Sequence, residues 1–189
     1  MKLIANHPEE VFEIANEFNN KKKTLKDLNK IIEKLSLNIS EDKINTFKGD
    51  VFEIFAWMFF KSFENDPSVG LTDYEAINIE NDFGVDGKGI NANGTKVAVQ
   101  VKYRSNPKNL ISYGDIAKTY TSGRLQLNLN LKRKDSIYVF TNAIDITPPC
   151  KEVFGNTIKV LHGKAIDHYI HNNRSFWKFF YKKVYEYLN

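Results

Sequence analysis

The strongest constraint on the fold is the run "NDFGVDGKGINANGTKVAVQVKYR" at residues 81–104. Strand-like residues occupy 84–90 and 96–104, and the turn cluster Asn-Ala-Asn-Gly at 91–94 separates them. This pattern predicts an antiparallel hairpin. Because successive strand residues point to opposite faces, the pairing of the two strands decides which side chains meet.

Two hairpin registers fit these residues. A two-residue loop ending at Gly94 places Asp86 opposite Val101. A three-residue loop with Gly94 in the left-handed conformation places Asp86 opposite Gln100, with Lys102 on the same face. We favour the second register because the valines then share the other face and can pack. The alternative is a solvated strand face on which the acid and the lysine form a weak surface pair.

A second acid stands out in the run "KGDVFEIFAWMFFKSFEND" at residues 48–66. Glu53 interrupts a predicted helix that is apolar on nearly every side, and a buried carboxylate requires a partner or a cation. Two acids, an amide and a lysine (Glu53, Asp86, Gln100 and Lys102) then form a candidate site for a hard divalent cation with oxygen ligands.

The remaining patterns predict an α/β fold, a mixed sheet flanked by helices with a helical N-terminal extension. In the extension, Pro8 suits a first helical turn, and Thr24 and Ser40 are candidate caps for two further helices. Further strands are predicted at 74–79, 136–142 and 157–161, and further helices at 111–125, beginning near Ser112, at 163–170 and at 174–189.

Composition narrows the function classes. The chain has 189 residues, a formal net charge of +4 and one cysteine, Cys150. A single cysteine excludes an intramolecular disulfide, and the scattered histidines with no multi-cysteine motif argue against a zinc site. We find no signal peptide and no membrane-length apolar run, and so expect a cytoplasmic protein with no membrane partner.

Several of these segments, in this order, resemble the PD-(D/E)xK nuclease superfamily. The closest resemblance is to the Mrr-like branch and to the restriction-endonuclease domain of some helicases, in the variant whose half-motif reads Gln-x-Lys. The matching segments are "GDVFEIFAWMFF" (49–60), "NDFGVDGKGI" (81–90), "VAVQVKYR" (97–104), "LISYGDIAKTYTSGRL" (110–125), "SIYVFTNA" (136–143) and "VLHGKAIDHYI" (160–170).

The resemblance implies roles for five residues. Asp86 would be the central Mg²⁺ ligand, with the Gln100 side-chain oxygen and the Val101 carbonyl as further ligands. Lys102 would hold the attacking water and offset charge on the scissile phosphate. Glu53 would bind a water or a second ion, and Mn²⁺ would substitute for Mg²⁺.

The resemblance also implies a restriction-endonuclease-like core over residues 47–170. The flanking domains are then the helical extension at 1–46 and an aromatic and basic helix at 171–189. The expected activity is that of a metal-dependent phosphodiesterase, a DNA endonuclease acting as a homodimer. Restriction-like, homing-type and junction-resolving roles are not distinguished. No GxxxxGK[ST] loop is present, so any helicase would be a separate chain.

Basic and polar residues that follow the predicted site are expected to contact DNA, because cations next to a cleavage centre neutralise neighbouring phosphates. The alternative for each is an ordinary solvated surface. The predicted contacts are Tyr103, Arg104, Lys108, Ser112, Lys118 and Arg124.

One departure from the family pattern keeps two other functions open. Gln100 replaces the commoner acid of the half-motif and removes a negative charge from the metal site. The chain is then either a nuclease, or a DNA-binding module of the same fold without turnover. A protein-interaction role, in which the aromatic ends contact a partner, is the third hypothesis.

Overall fold

The computed structural model describes residues 2–77 and 84–189. The fold is α/β, with a five-stranded mixed sheet flanked by helices, as the sequence predicts. The chain divides into two compact units. The helical unit comprises Met1–Ser62 and Lys164–Asn189, and the sheet unit comprises Phe63–Gly163. The domain limit expected at 46/47 falls inside a helix of the first unit, and the predicted domain division stays a prediction.

The order of elements follows the predicted order, with two helices that the sequence patterns did not indicate, α1 and α6. The helices are α1 (Lys2–Asn6), α2 (Pro8–Phe18), α3 (Leu25–Ser36), α4 (Ile44–Ser62), α5 (Tyr113–Leu125), α6 (Pro148–Phe154), α7 (Gly163–Ile170) and α8 (Arg174–Leu188). The strands are β1 (Leu71–Ala76), β2 (Gly87–Asn91), β3 (Lys96–Lys102), β4 (Ile137–Thr141) and β5 (Ile158–Leu161). No helix in the described ranges is long and apolar enough to cross a membrane.

The helical unit is organised around aromatic side chains. Trp177 of α8 is fully buried, and its indole nitrogen lies 3.2 Å from the Ile170 carbonyl. Its ring lies 4.7 Å from that of Phe18 and 6.1 Å from that of Phe55. The separate helix expected after Ser40 is wrong, because α4 runs unbroken through both predicted segments. Buried apolar residues occur along α4 from Phe47 to Phe60 and on nearly every side of it, so both predicted segments belong to one continuous helix.

The sheet has the strand order β1-β2-β3-β4-β5. The first three strands are antiparallel, and β3, β4 and β5 are parallel. The predicted strand at 74–79 is found as β1, three residues earlier, and residues 78 and 79 lie outside the described residues. The predicted strand at 84–90 begins later, at Gly87, where the Tyr74 ring packs so closely that a Cβ atom would lie 2.4 Å from it.

The β2–β3 hairpin has the three-residue register. Gly87 pairs with Val99 and Ile90 with Lys96. Gly94 has a φ of +71°, in the left-handed region that glycine adopts without strain. The Asn91 side-chain oxygen accepts hydrogen bonds from the backbone of the loop, which fixes the turn locally. Directly before β2 the pairing becomes irregular, because the Asp86 N–H donates to the Val99 carbonyl although Val99 is paired with Gly87. A further irregularity lies in the β1–β2 pairing.

Helix α5 packs along one face of β3. Gly123 approaches Ala98, Thr119 contacts Gln100, and Asp115 contacts Lys102. Four helical residues advance about 6 Å and two strand residues about 6.6–6.8 Å, so the two elements stay in step over three contacts. Gln100 and Lys102 therefore share the α5 face of the sheet.

Candidate functional site

Asp86 is fixed directly in front of β2. Its backbone N–H donates to the Val99 carbonyl at 2.9 Å, one residue out of the β2–β3 register, in which Val99 pairs with Gly87. Asp86 is only 5% exposed. Its Oδ2 accepts hydrogen bonds from Gln100 Nε2 at 2.6 Å and from the Val101 N–H at 2.5 Å. The structure therefore brings Asp86 and Gln100 into direct contact.

Gln100 connects Asp86 to helix α5. Its Nε2 also lies 3.2 Å from the Val101 carbonyl oxygen. Its Oε1 lies 2.6 Å from Thr119 Oγ1, and the same hydroxyl lies 2.6 Å from the Gly84 carbonyl oxygen. Both Gln100 and Thr119 are buried. A buried polar cluster of this kind fixes its members in place because each unmet hydrogen bond costs free energy.

Lys102 occupies the next position along the α5 face of β3. Its Nζ lies 3.6 Å from Asp115 Oδ1, and its side chain is 38% exposed. Arg104 makes the shorter ion pair to the same carboxylate, at 2.6 Å. The backbone of Arg104 is held by Asn142, which accepts from its N–H at 2.7 Å and donates to its carbonyl at 2.8 Å. Lys102 thus reaches solvent from a position constrained on one side by Asp115.

Asp115 also caps α5. Its Oδ2 accepts from the Ser112 N–H at 2.9 Å and from the Ser112 hydroxyl at 2.8 Å. Burial acts to raise the pKa of Asp115, but the Ser112 hydrogen bonds and the charges of Arg104 and Lys102 outweigh it, so its pKa lies below the ordinary value of 3.8. The carboxylate is therefore ionised at neutral pH and available to hold both cations.

Glu53 lies on α4, in the helical unit, and is half-buried among neighbours that are mostly fully buried. It has an interaction partner of its own. Asp86, Gln100 and Lys102 all belong to the sheet unit. The structure brings these three together, and the participation of Glu53 in the same site stays a prediction.

The predicted DNA contacts lie in different environments. Lys108 and Lys118 are exposed, and Tyr103 is half-buried. Arg124 is exposed and lies 5.5 Å from the centre of the Tyr120 ring. Arg104 is committed to Asp115, and Ser112 is the N-cap of α5. Lys108 and Lys118 are therefore the two predicted contacts that are exposed and take part in none of the ion pairs, caps or ring contacts described above.

Three residues of the site escaped the sequence predictions. Asp115 follows Ser112 at capping-box spacing, and this spacing marks the start of the helix in the sequence. The pairing of Asp115 with Lys102 and Arg104 has no such local signal. Thr119 follows Asp115 by one helical turn, and nothing local marks it as a partner of Gln100. Asn142 lies just after β4, and only strand pairing brings it to Arg104.

The donor set fits a hard divalent cation. Asp86 Oδ2 and the Val101 carbonyl oxygen both lie within hydrogen-bond reach of one atom, Gln100 Nε2. A cation at the position of this nitrogen would meet the same two oxygens. Carboxylate, carbonyl and amide oxygens are all ligands of Mg²⁺. Within residues 2–77 and 84–189 no group of three or more His, Cys, Asp or Glu residues forms a metal cluster. A cation here would therefore be held by one carboxylate together with neutral oxygens and water.

No family model, no curated protein and no solved structure matches this chain. The functional interpretation consequently depends on the geometry of Asp86, Gln100, Lys102 and their partners, together with the resemblance of the short motifs.

Proposed function

We propose that the chain is a Mg²⁺-dependent DNA endonuclease with a restriction-endonuclease-like core, of the PD-(D/E)xK type. The observation that supports this proposal is the contact of Asp86 with Gln100 at 2.6 Å, with Lys102 next along the same face of β3. Metal-assisted phosphodiester hydrolysis can use such an arrangement, since the carboxylate and amide oxygens can hold a cation and the ammonium can offset charge on the phosphate.

The site residues divide the chemistry between them. Asp86 and the Val101 carbonyl would hold the cation, with Gln100 as a third oxygen ligand. The cation, when bound, supplies Lewis acidity at the phosphoryl oxygen and lowers the pKa of a bound water. Lys102 would orient the attacking water and place positive charge next to the phosphate as negative charge builds up in the transition state.

Asp115 would act by positioning Lys102. The carboxylate holds the ammonium at 3.6 Å while Arg104 takes the closer contact at 2.6 Å. Because Arg104 offsets most of the negative charge, Lys102 keeps the freedom to turn toward a phosphate. Exposed Lys108 and Lys118 would neutralise phosphates next to the cleaved bond. Cutting both strands of a duplex would use a homodimer with one site per strand.

Plasmid cleavage with Mg²⁺, Mn²⁺ or EDTA tests the proposal. We expect cleavage with either metal and none with EDTA. We expect a loss of about 10²–10³-fold for Asp86→Ala, which removes a cation ligand, and for Lys102→Ala, which removes a positive charge placed for the transition state. Lys96→Ala is the matched control, because Lys96 is an exposed lysine on the same strand. The proposal is wrong if supercoiled, linear and branched DNA all stay intact with metal present.

One observation favours a second function, a DNA-binding module without turnover. Asp86 Oδ2 already accepts two short hydrogen bonds, so the carboxylate is stabilised by donors of the chain itself. This alternative predicts DNA binding that neither EDTA nor Lys102→Ala changes, together with no cleavage under any metal condition. A gel-shift titration run beside the cleavage assay separates the two functions.

A further inference from the structure

The hydroxyl of Thr119 faces more acceptors than it has protons. Thr119 Oγ1 lies 2.6 Å from the Gly84 carbonyl oxygen, 2.6 Å from Gln100 Oε1 and 3.3 Å from the Asp115 carbonyl oxygen. A hydroxyl donates a single hydrogen bond. With the Gln100 amide in this orientation, one oxygen at 2.6 Å therefore faces the hydroxyl oxygen without a proton between them.

Rotating the Gln100 amide by half a turn removes this conflict. Nε2 then donates to Thr119 Oγ1, and the single Thr119 proton goes to the Gly84 carbonyl. The rotation places Oε1 at the present position of Nε2, 2.6 Å from Asp86 Oδ2 and 3.2 Å from the Val101 carbonyl oxygen. At that end of the amide, oxygen atoms now face one another without a proton between them. Three oxygens that converge without a proton are stabilised by a cation.

We propose that the Gln100 side chain is a two-position switch coupled to divalent-cation binding, and that Thr119 is the positioning residue that holds the cation-bound orientation. The inference rests on the proposed function, since it concerns the same site. Without a cation, Nε2 donates to Asp86 and Val101. With a cation, Oε1 joins Asp86 Oδ2 and the Val101 carbonyl as a ligand, and Nε2 donates to Thr119.

This arrangement accounts for a glutamine in place of an acid. A glutamate at position 100 could not donate to Asp86, and two carboxylates would repel each other whenever the cation is absent. The amide instead presents a donor to Asp86 in one orientation and an acceptor to a cation in the other. Thr119 makes the second orientation available because a single hydroxyl oxygen can accept from Nε2 while its proton is donated to the Gly84 carbonyl.

Cation titration of five proteins tests the inference. Calorimetry with MgCl₂ and with MnCl₂ is run on the unaltered chain, Asp86→Ala, Thr119→Val, Thr119→Ser and Thr121→Val. Valine keeps the shape of threonine without the hydroxyl, and Thr121 is an exposed threonine of the same helix. We expect Thr119→Val to weaken binding about tenfold, the cost of one unmet hydrogen bond, with Thr119→Ser restoring most of the affinity. Thr121→Val is expected to bind as the unaltered chain does.

A spectroscopic measurement on the unaltered chain tests the rotation without depending on any variant. The side-chain NH₂ signals of Gln100, assigned by their loss in Gln100→Glu, are followed by NMR during Mg²⁺ addition. We expect both signals to move, because their acceptors change from Asp86 and Val101 to Thr119. A purely structural role of Thr119 would leave them in place.

The outcomes separate the inference from the proposed function. If Asp86→Ala abolishes cation binding but Thr119→Val binds normally, or if the Gln100 signals stay fixed at saturating Mg²⁺, the switch is overturned and the endonuclease proposal stands. If the unaltered chain binds neither cation, or binds them as well as Asp86→Ala does, the metal-dependent function is overturned and the switch with it.

Discussion

Helices α3 and α5 begin with the same device and are used differently. Thr24 and Asp27 form a capping box at the start of α3, and Ser112 and Asp115 form one at the start of α5. The hydroxyls bond the carboxylates at 2.9 Å and 2.8 Å respectively. Asp115 additionally pairs with Lys102 at the end of β3 and with Arg104 just after it. The described contacts of Asp27 are those of its own cap.

The buried faces of the two helices differ in the same way. Helix α3 buries apolar side chains such as Leu28 and Ile32, whereas α5 buries Thr119, Ser122 and Gly123 beside Ile116. A buried apolar face stabilises a helix without specifying any chemistry. A buried polar face needs matched partners, which α5 finds on β3. The difference indicates that α3 contributes stability and that α5 positions a site.

The largest expected difference between α3 and α5 is in the free energy of unfolding. Ile32 is fully buried on α3, and Ile32→Ala is expected to lower the free energy of unfolding by about 2–5 kcal/mol through lost burial and a cavity. Thr119→Val on α5 keeps the volume and is expected to cost about 1–2 kcal/mol, the value of a hydrogen bond. Urea unfolding followed by circular dichroism measures both. Equal losses would contradict the distinction.

The next effect compares the two capping acids in the cleavage assay. Asp115→Asn is expected to lower cleavage about tenfold to a hundredfold, because Lys102 and Arg104 lose the charge that positions them. Asp27→Asn is the matched control and is expected to cleave as the unaltered chain does. Both variants weaken a capping box, and Asp115→Asn also removes the ion pairs to Lys102 and Arg104, so its loss of stability is expected to be the larger of the two. If both variants lose cleavage equally, Asp115 is only a cap.

The smallest effect concerns pH. The pKa of Asp115 is below 3.8, because the Ser112 hydrogen bonds and the two cations outweigh the opposing effect of burial. A carboxylate with a depressed pKa contributes stability that is fully present above its unfolded pKa and is lost as pH falls through the folded pKa. Asp115→Asn removes this contribution, so its stability should fall less steeply than that of the unaltered chain as the pH falls through the ordinary pKa of 3.8 and below it. Parallel curves in urea unfolding would contradict the assignment.

Burial gives Cys150 a separate role from the site. Its thiol is fully buried, and burial together with the charge of Asp115 raises its pKa to about 11. A thiol with this pKa is protonated at neutral pH and is a poor nucleophile. The single cysteine of the chain is therefore a core residue.

Local signals in the sequence were sufficient for much of the fold. The turn residues around Gly94 allowed two registers, and the valines that can pack on one face favoured the register found, which brings Asp86 to Gln100. Period-two and period-3.6 patterns located β3, β4, α5 and α7 within two residues of their limits. The patterns failed at α6, where Pro148 and Pro149 begin a helix of only seven residues, too short for a periodic signal.

By itself the sequence determined the hairpin and the capping boxes, because both depend on residues a few positions apart whose backbone preferences are local. Only the tertiary structure decided that α5 lies along β3 in step with its side chains. That packing brings Thr119 to Gln100 and Asp115 to Lys102, across separations of 19 residues for the first pair. No local pattern encodes such contacts, because they depend on how a buried polar helix face finds partners that satisfy its hydrogen bonds.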